Sequence, residues 1–318
     1  MRHIAYVFVP VLLVGVATGA SPASAAGCDK ACLERVAAEY HAAWLAHDPS
    51  RAPLARKVRF SENNVELTLP DGSWATVSEA VGTPLVLSDP KTGNVGLYTT
   101  VLQSKEIQTY AAIRLKVQGG RITEAEHILS TKRNLSSPPT PFGDIYKNPR
   151  DPDFTRVVPV AERASREELK QQANGYFATL ENNNGEIRGI RFSPVATRNE
   201  NGMNFPEIEK GFKSGRYGFN NRVRDRDCMV VDEERSAVMC RGFIDHKGVV
   251  DYVQLTDGTR QKSVFQEPHT WSFLESFKVK NGVVTAVEAT FTAAPYYIKS
   301  PFTKKPDPVY DAIKPSGK

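Results

Sequence analysis

Four side chains in the second half of the chain could carry acid–base chemistry together: Tyr176, Asp245, His269 and Glu288. An imidazole exchanges a proton near neutral pH, a phenol donates to developing negative charge, and a carboxylate fixes the imidazole's tautomer. Such a set could remove a proton beside a carbonyl or expel water from a hydroxylated molecule. Asp245 and His246 sit together in "FIDHKG" at a strand end. Strand neighbours point to opposite faces, so only one of the two can enter a pocket. Asp245 reads as an orienting carboxylate or as a turn former before Lys247-Gly248. The alternately charged "RVRDRD" shows one face to solvent, with Arg224 or Asp225 able to line a pocket rim.

Other chemistries lack their motifs. There is no G-x-S-x-G, phosphate loop or dinucleotide fingerprint, and no cofactor is expected. His246 and His269 with Asp245 or Glu288 would form a two-histidine-one-carboxylate set, but no signature marks one and no metal is assigned. His41 and His47 are six apart, the wrong spacing for joint ligation, and His127 has the opposite strand parity to Glu126. The net charge of +5 is spread along the chain without a basic block, so nucleic acid is not an expected partner.

Residues 1–25 read as a secretory signal peptide: Arg2, an apolar core, then "ASA" at Ala23–Ala25. Acylation at Cys28 after "AAG" is the alternative. No later stretch is long and apolar enough to span a membrane. The protein is therefore expected in the periplasm or outside the cell. Export makes Cys28, Cys32, Cys228 and Cys240 candidates for disulfides. Of the three pairings, the local one is favoured, Cys28–Cys32 and Cys228–Cys240; a four-thiolate zinc site lacks C-x-x-C spacing.

The elements that must position these residues occur twice. "LKVQGGRITEAEHIL" and "FKVKNGVVTAVEATF" share a pattern 162 positions apart, "RFS" recurs 132 apart, and Asp89 and Asp232 lie in matching stretches 143 apart. Order is kept while the offset grows, as in a duplication with insertions. Each copy starts with an amphipathic helix, the second with a Ser165/Glu168 capping box, and closes with three strands and tight turns. This divides the chain into a first domain at 28–135, a proline-rich linker at 136–164, a second domain at 165–302 and a tail at 303–318. The comparison also weighs the candidates. Tyr176 recurs as Tyr40, as a core tyrosine would. Glu288 recurs as Glu126, which could form a repeated ion pair with Arg59 and Arg191. His269 has no twin, since Ile107 stands in its place.

The helix, the hairpins and the closing "FKVKNGVVTAVEA" resemble the nuclear-transport-factor-2-like (NTF2-like, SnoaL-like) fold of ketosteroid isomerase and scytalone dehydratase. "RDRDCMVVDEERSAVMCRGFIDH" with "HTWSFLESFKVKNGVVTAVEATFTAAPYY" resembles exported bacterial and fungal members without an assigned reaction. The resemblance implies an α+β fold: two tandem cone-shaped domains, each with N-terminal helices packed in a curved antiparallel sheet. It implies that Trp271, His269, Glu288, Thr290 and Thr292 face into the second cone, with Tyr176 near an oxyanion-donor position. Phe177, Trp271, His246, Thr290, Arg224 and Asp225 would then contact substrate. The expected function is a cofactor-free lyase, dehydratase or isomerase acting on a small hydroxylated or carbonyl-bearing molecule. The alternatives are a non-catalytic binder of a small apolar ligand and a structural interaction protein, with homodimerisation open to either.

Overall fold

The computed structural model describes residues 27–132 and 140–303. The expected signal peptide, part of the linker and nearly all of the tail lie outside them.

The first half runs α1 (Lys30–Leu45), β1 (Leu54–Glu62), β2 (Val65–Leu67), β3 (Val77–Asp89), β4 (Asn94–Gln103), β5 (Ile107–Gln118) and β6 (Arg121–Thr131). The second runs α2 (Arg166–Leu180), β7 (Phe192–Glu200), β8 (Met203–Asn204), α3 (Ile208–Lys213), β9 (Arg222–Asp232), β10 (Ala237–His246), β11 (Tyr252–Gln254), β12 (Arg260–Lys262), β13 (His269–Lys280) and β14 (Val283–Ala294). Asp29 caps α1, accepting from the Cys32 amide at 2.8 Å. Ser165 caps α2, accepting from the Glu168 amide at 3.2 Å.

The duplication is visible in the topology. One sheet has the order β2-β1-β6-β5-β4-β3 and the other β8-β7-β14-β13-β10-β9, with the β11–β12 hairpin as an insertion. Both sheets are mixed, because β1 runs parallel to β6 and β7 parallel to β14. This corrects the α+β expectation. Each half is a six-stranded mixed sheet with one long helix, so the chain is mostly β and not a pair of NTF2-like cones of helices in an antiparallel sheet. Apolar alternation tells which face a residue takes but not which strand it pairs with, or in which direction. The three closing strands expected in each copy are thus part of a sheet of six.

One helix covers one face of a sheet and leaves the other needing apolar cover. α1 packs on its sheet through Leu33, Tyr40 and Trp44, and α2 through Leu169, Tyr176 and Phe177. The remaining faces pack on each other, with Leu87, Tyr98 and Ile128 of the first half meeting Val230, Met239 and Leu274 of the second. The layers are therefore helix, sheet, sheet, helix. At the centre, Gly96 lies against Met239, its counterpart in the other copy; a Cβ on Gly96 would come within 2.5 Å of the Met239 thioether.

The same face carries a reciprocal pair of bonds. The Val231 amide donates to Asp89 at 3.1 Å, and the Ser88 amide donates to Asp232 at 3.2 Å. Each aspartate is buried and holds a cation: Arg166 at the start of α2 on Asp89, and Arg235 on Asp232. The buried Glu126 accepts from Arg114 of its own sheet and Arg241 of the other, both at 2.9 Å. The expected Glu126–Arg59 pair does not form, since Arg59 pairs with Glu66.

The cysteines pair locally, as favoured: Cys28 with Cys32, and Cys228 with Cys240 across β9 and β10. Two disulfides fit an oxidising compartment. Among the described residues no helix is long and apolar enough to cross a membrane.

Removing Asp89 strands a buried amide and Arg166, and removing Asp232 strands a buried amide and leaves Arg235 with Glu34 alone. Asp89→Ala and Asp232→Ala should each lower the unfolding free energy by about 3 kcal/mol. Lys91→Ala, which breaks an exposed pair with Glu233, should change it by no more than about 0.5 kcal/mol. Urea unfolding of the three variants checks this, and equal effects from all three would contradict the interface reading.

Candidate functional site

A cavity of about 530 Å³ opens between α2, α3 and the concave face of the second sheet. Strand alternation sets its lining. On β13, Trp271, Phe273 and Glu275 point inward, and their partners across β14 place Phe291 opposite Phe273 and Ala289 opposite Glu275. On β10, Ile244 faces the cavity, and on β7 Arg198 and Glu200 do so. The segment around α3 supplies Phe205, Tyr217 and Phe219, and the loop after β12 supplies Phe265. The walls are mainly aromatic, and Tyr176, Arg198, Glu200, Tyr217 and Glu275 put a polar group among them.

Those polar groups form one network. Arg198 is buried and donates to the Tyr217 hydroxyl at 2.7 Å and to the Tyr176 hydroxyl at 3.3 Å. Its Nε lies 3.5 Å from the Glu200 carboxylate. The Tyr176 ring is held edge-on against Phe212 (5.2 Å between centroids) and tilted on Phe277 (4.9 Å), which fixes where its hydroxyl points. Glu275 is also buried. Burial raises its carboxyl well above the usual range and the negative charge of Glu200 adds to this, while Arg198 and a hydrogen bond with Tyr176 oppose it. Burial likewise pushes the Tyr176 phenol up. Burial thus favours the protonated forms of the carboxyl and the phenol, beside a guanidinium whose counter-ion is Glu200.

Two of the residues proposed from sequence line this cavity, Tyr176 and Trp271. Phe177, the neighbour of Tyr176, is buried in the core against Phe273 and Phe277. His269 lies at the start of β13 outside the lining. Its Nδ1 sits 3.1 Å from the Glu267 carbonyl, and its ring stacks on His246 at 4.5 Å. Burial lowers the pKa of both imidazoles, that of His246 to about 2 with His269 contributing. His246 takes the inward parity of its strand, but its Nε2 is occupied by the Asn220 amide oxygen at 2.8 Å. Asp245 takes the opposite face, bound by Arg224 at 2.7 and 3.1 Å and by the Thr270 hydroxyl at 2.7 Å. It does not orient a histidine. Asp225, beside Arg224 at 3.5 Å, belongs to that cluster.

Glu288 and Thr290 also face away from the cavity. Glu288 is opposite Ser276 and Thr290 opposite Leu274, on the face turned toward the first sheet. Residues directly opposite across two antiparallel strands share a face. An inward Trp271 therefore requires an inward Phe291 and Ala289 and excludes Glu288. Glu288 accepts instead from Asn199 at 2.9 Å and Arg150 at 3.3 Å. The missed acid, Glu275, has the parity of Trp271 within "TWSFLESF". That signal was available; Arg198 and Glu200 in "ATRNE" carried none.

The first half shows the same position filled. In the parallel strand pairs, His127 stands opposite Glu62 as Ala289 stands opposite Glu200. Ile113 faces His127 where Glu275 faces Ala289. Tyr40, the twin of Tyr176, bonds to His127 Nε2 at 2.9 Å, and Trp44 and Phe60 close on the same ring at 5.3 and 5.1 Å. One copy thus replaces space and an acid with an imidazole and an isoleucine.

A carboxyl whose pKa is raised by folding stabilises the fold below its unfolded value, and loses that contribution as pH climbs toward the folded value. The native state then holds the extra proton, so stability falls with pH by up to about 1.4 kcal/mol per unit. Glu275→Gln should flatten the decline from mildly acidic pH upward, measured by chemical unfolding across pH. An unchanged slope would mean that Glu275 is already ionised.

Residues 162–291 match a family model described as a domain of unknown function (DUF8021). No curated protein matches the chain. Among solved structures, a Kribbella flavida protein is 20% identical over 34% of this chain and 88% of its own, with a TM-score of 0.26. A de novo designed protein with a curved β-sheet is 16% identical over 41% and 88%, also at 0.26. AclR from Streptomyces galilaeus is 20% identical over 40% and 91%, at 0.28. Likenesses this slight establish neither fold nor activity for the chain.

Proposed function

We propose that the second half is a cofactor-free acid–base enzyme, a lyase, dehydratase or isomerase, for a small carbonyl- or hydroxyl-bearing organic molecule. The reading rests on one observation: two carboxyls reach the same apolar cavity in different surroundings, Glu275 buried with its pKa raised and Glu200 paired with Arg198. Environments that separate two acids in this way supply both partners of a proton transfer. A substrate oxygen would accept from Glu275 and Tyr176, which become stronger donors as negative charge develops in a dry site. Glu200 would take the proton from the adjacent carbon, and the protonated Glu200 would then return it, either to another carbon of the enolate or to a β-hydroxyl that leaves as water.

His269 would act only by holding the aromatic wall behind Trp271 and Phe265. A second reading, a non-catalytic binder, is favoured by the way Arg198 already engages Tyr217 and Glu200. The oxidising compartment implied by two disulfides, together with the Ala23–Ala25 pattern, would place either activity in the periplasm or outside the cell. Homodimers would have to use surfaces other than the packed sheet faces, which meet within the chain.

The test is exchange of substrate α-protons with deuterated water, followed by NMR over a panel of aromatic ketones and β-hydroxyketones. Glu275→Gln and Tyr176→Phe should each slow exchange about 100-fold, and His269→Ala should leave it largely intact. Exchange that survives Glu275→Gln but is lost in His269→Ala would reverse the assignment. Compounds that bind without exchanging would establish the binder.

A further inference from the structure

The cavity's charges do not balance. Of the groups lining it, Arg198 is paired with Glu200, and Lys210 with Glu207 at 3.0 Å. Burial pushes Glu275 toward its neutral form. Arg216 is left over: it is exposed, lines the cavity and, among the described residues, has no carboxylate partner. Its guanidinium lies 5.7 Å from the Tyr217 ring centroid, while Arg198 lies 5.4 Å from that same ring. Tyr217 thus carries one cation inside the cavity and one at its mouth. Gly211 keeps this arrangement open. A Cβ there would sit 3.2 Å from the Tyr217 hydroxyl, tighter than an ordinary contact.

The two ends of the cavity therefore ask for different groups. The inner end offers donors for a neutral oxygen. The walls offer ring faces from Phe205, Phe219, Phe265, Trp271 and Phe291, which suit a planar apolar body. The mouth offers one uncompensated guanidinium, which suits a carboxylate or sulfonate through charge-assisted hydrogen bonds.

We propose that the ligand of this cavity is a planar aromatic monoanion, its ring system between the aromatic walls and its acidic group on Arg216. This deepens the reading of the cavity as a ligand site and rests on it. Selection for the anion is a separate matter from binding the rings.

Two fluorescent probes with one ring system separate the two: N-phenyl-1-naphthylamine, which is neutral, and 8-anilinonaphthalene-1-sulfonate, which adds a single negative charge. Both should bind the folded protein, the anion about fivefold more tightly, as a partly exposed charge pair provides. Arg216→Gln should bring the anion down to the affinity of the neutral probe and leave the latter unchanged. Added salt should weaken the anion alone. Ala289→His, which fills the space as His127 does in the first half, should abolish binding of both and so locates them in the cavity. Equal affinity of the two probes for the wild type, or a loss of both in Arg216→Gln, overturns the anion assignment while leaving the cavity as a ligand site. Binding of neither probe, or binding untouched by Ala289→His, overturns the ligand site itself.

Discussion

The reciprocal aspartate bonds between the sheets are what the rest of the molecule depends on. Asp89 caps the Val231 amide and Asp232 caps the Ser88 amide, and these are matching positions in the two copies. An unpaired amide or a bare carboxylate at this depth would be costly, so each copy supplies what the other lacks. The bonds fix the two sheets in one relative register and bring Leu87, Met239 and Leu274 into contact. They also tie the helices to the interface, because Arg166 at the start of α2 ends on Asp89 and Lys30 at the start of α1 approaches Asp232 at 3.8 Å.

Once one face of each sheet is committed to the other copy, the concave faces are free to diverge. The first copy fills its concave side with Trp44, Trp74 and the neutral His127, whose pKa burial lowers to about 3. The second copy has Ala289 in place of the imidazole, and the volume left is lined by rings. Glu275 in place of Ile113 then puts an acid where solvation is poor. Arg198 stands where the first copy has Phe60, opposite the third-last residue pair of the parallel strands. A stable duplicated frame with one filled side and one open side gives the chain a rigid scaffold beside a site.

Much of this was legible in the residues. The Ser165 cap and the local cysteine pairs follow from short-range patterns, the repeat from comparing distant stretches, and all appear in the structure. Sheet composition was not legible, because neither the parallel pairing of β1 with β6 nor the meeting of the two sheets leaves a trace in apolar alternation. The site suffered from the same gap. Placing Trp271 and Glu288 on one face needs a register that the β13–β14 pairing forbids, and the acid that shares the face of Trp271 is Glu275, four residues along the same strand. The two copies differ inside their concave faces at Ala289 against His127 and at Glu275 against Ile113.

The central claim is that Glu275 is a neutral acid at neutral pH inside an open, aromatic cavity. Infrared spectroscopy in the protonated-carboxyl region, comparing wild type with Glu275→Gln at neutral pH, reads this directly. The difference should isolate Glu275 from Glu288, whose pKa burial also raises. The account predicts a protonated-carboxyl band in the wild type that is missing from the variant. A difference confined to the ionised-carboxylate region would contradict it.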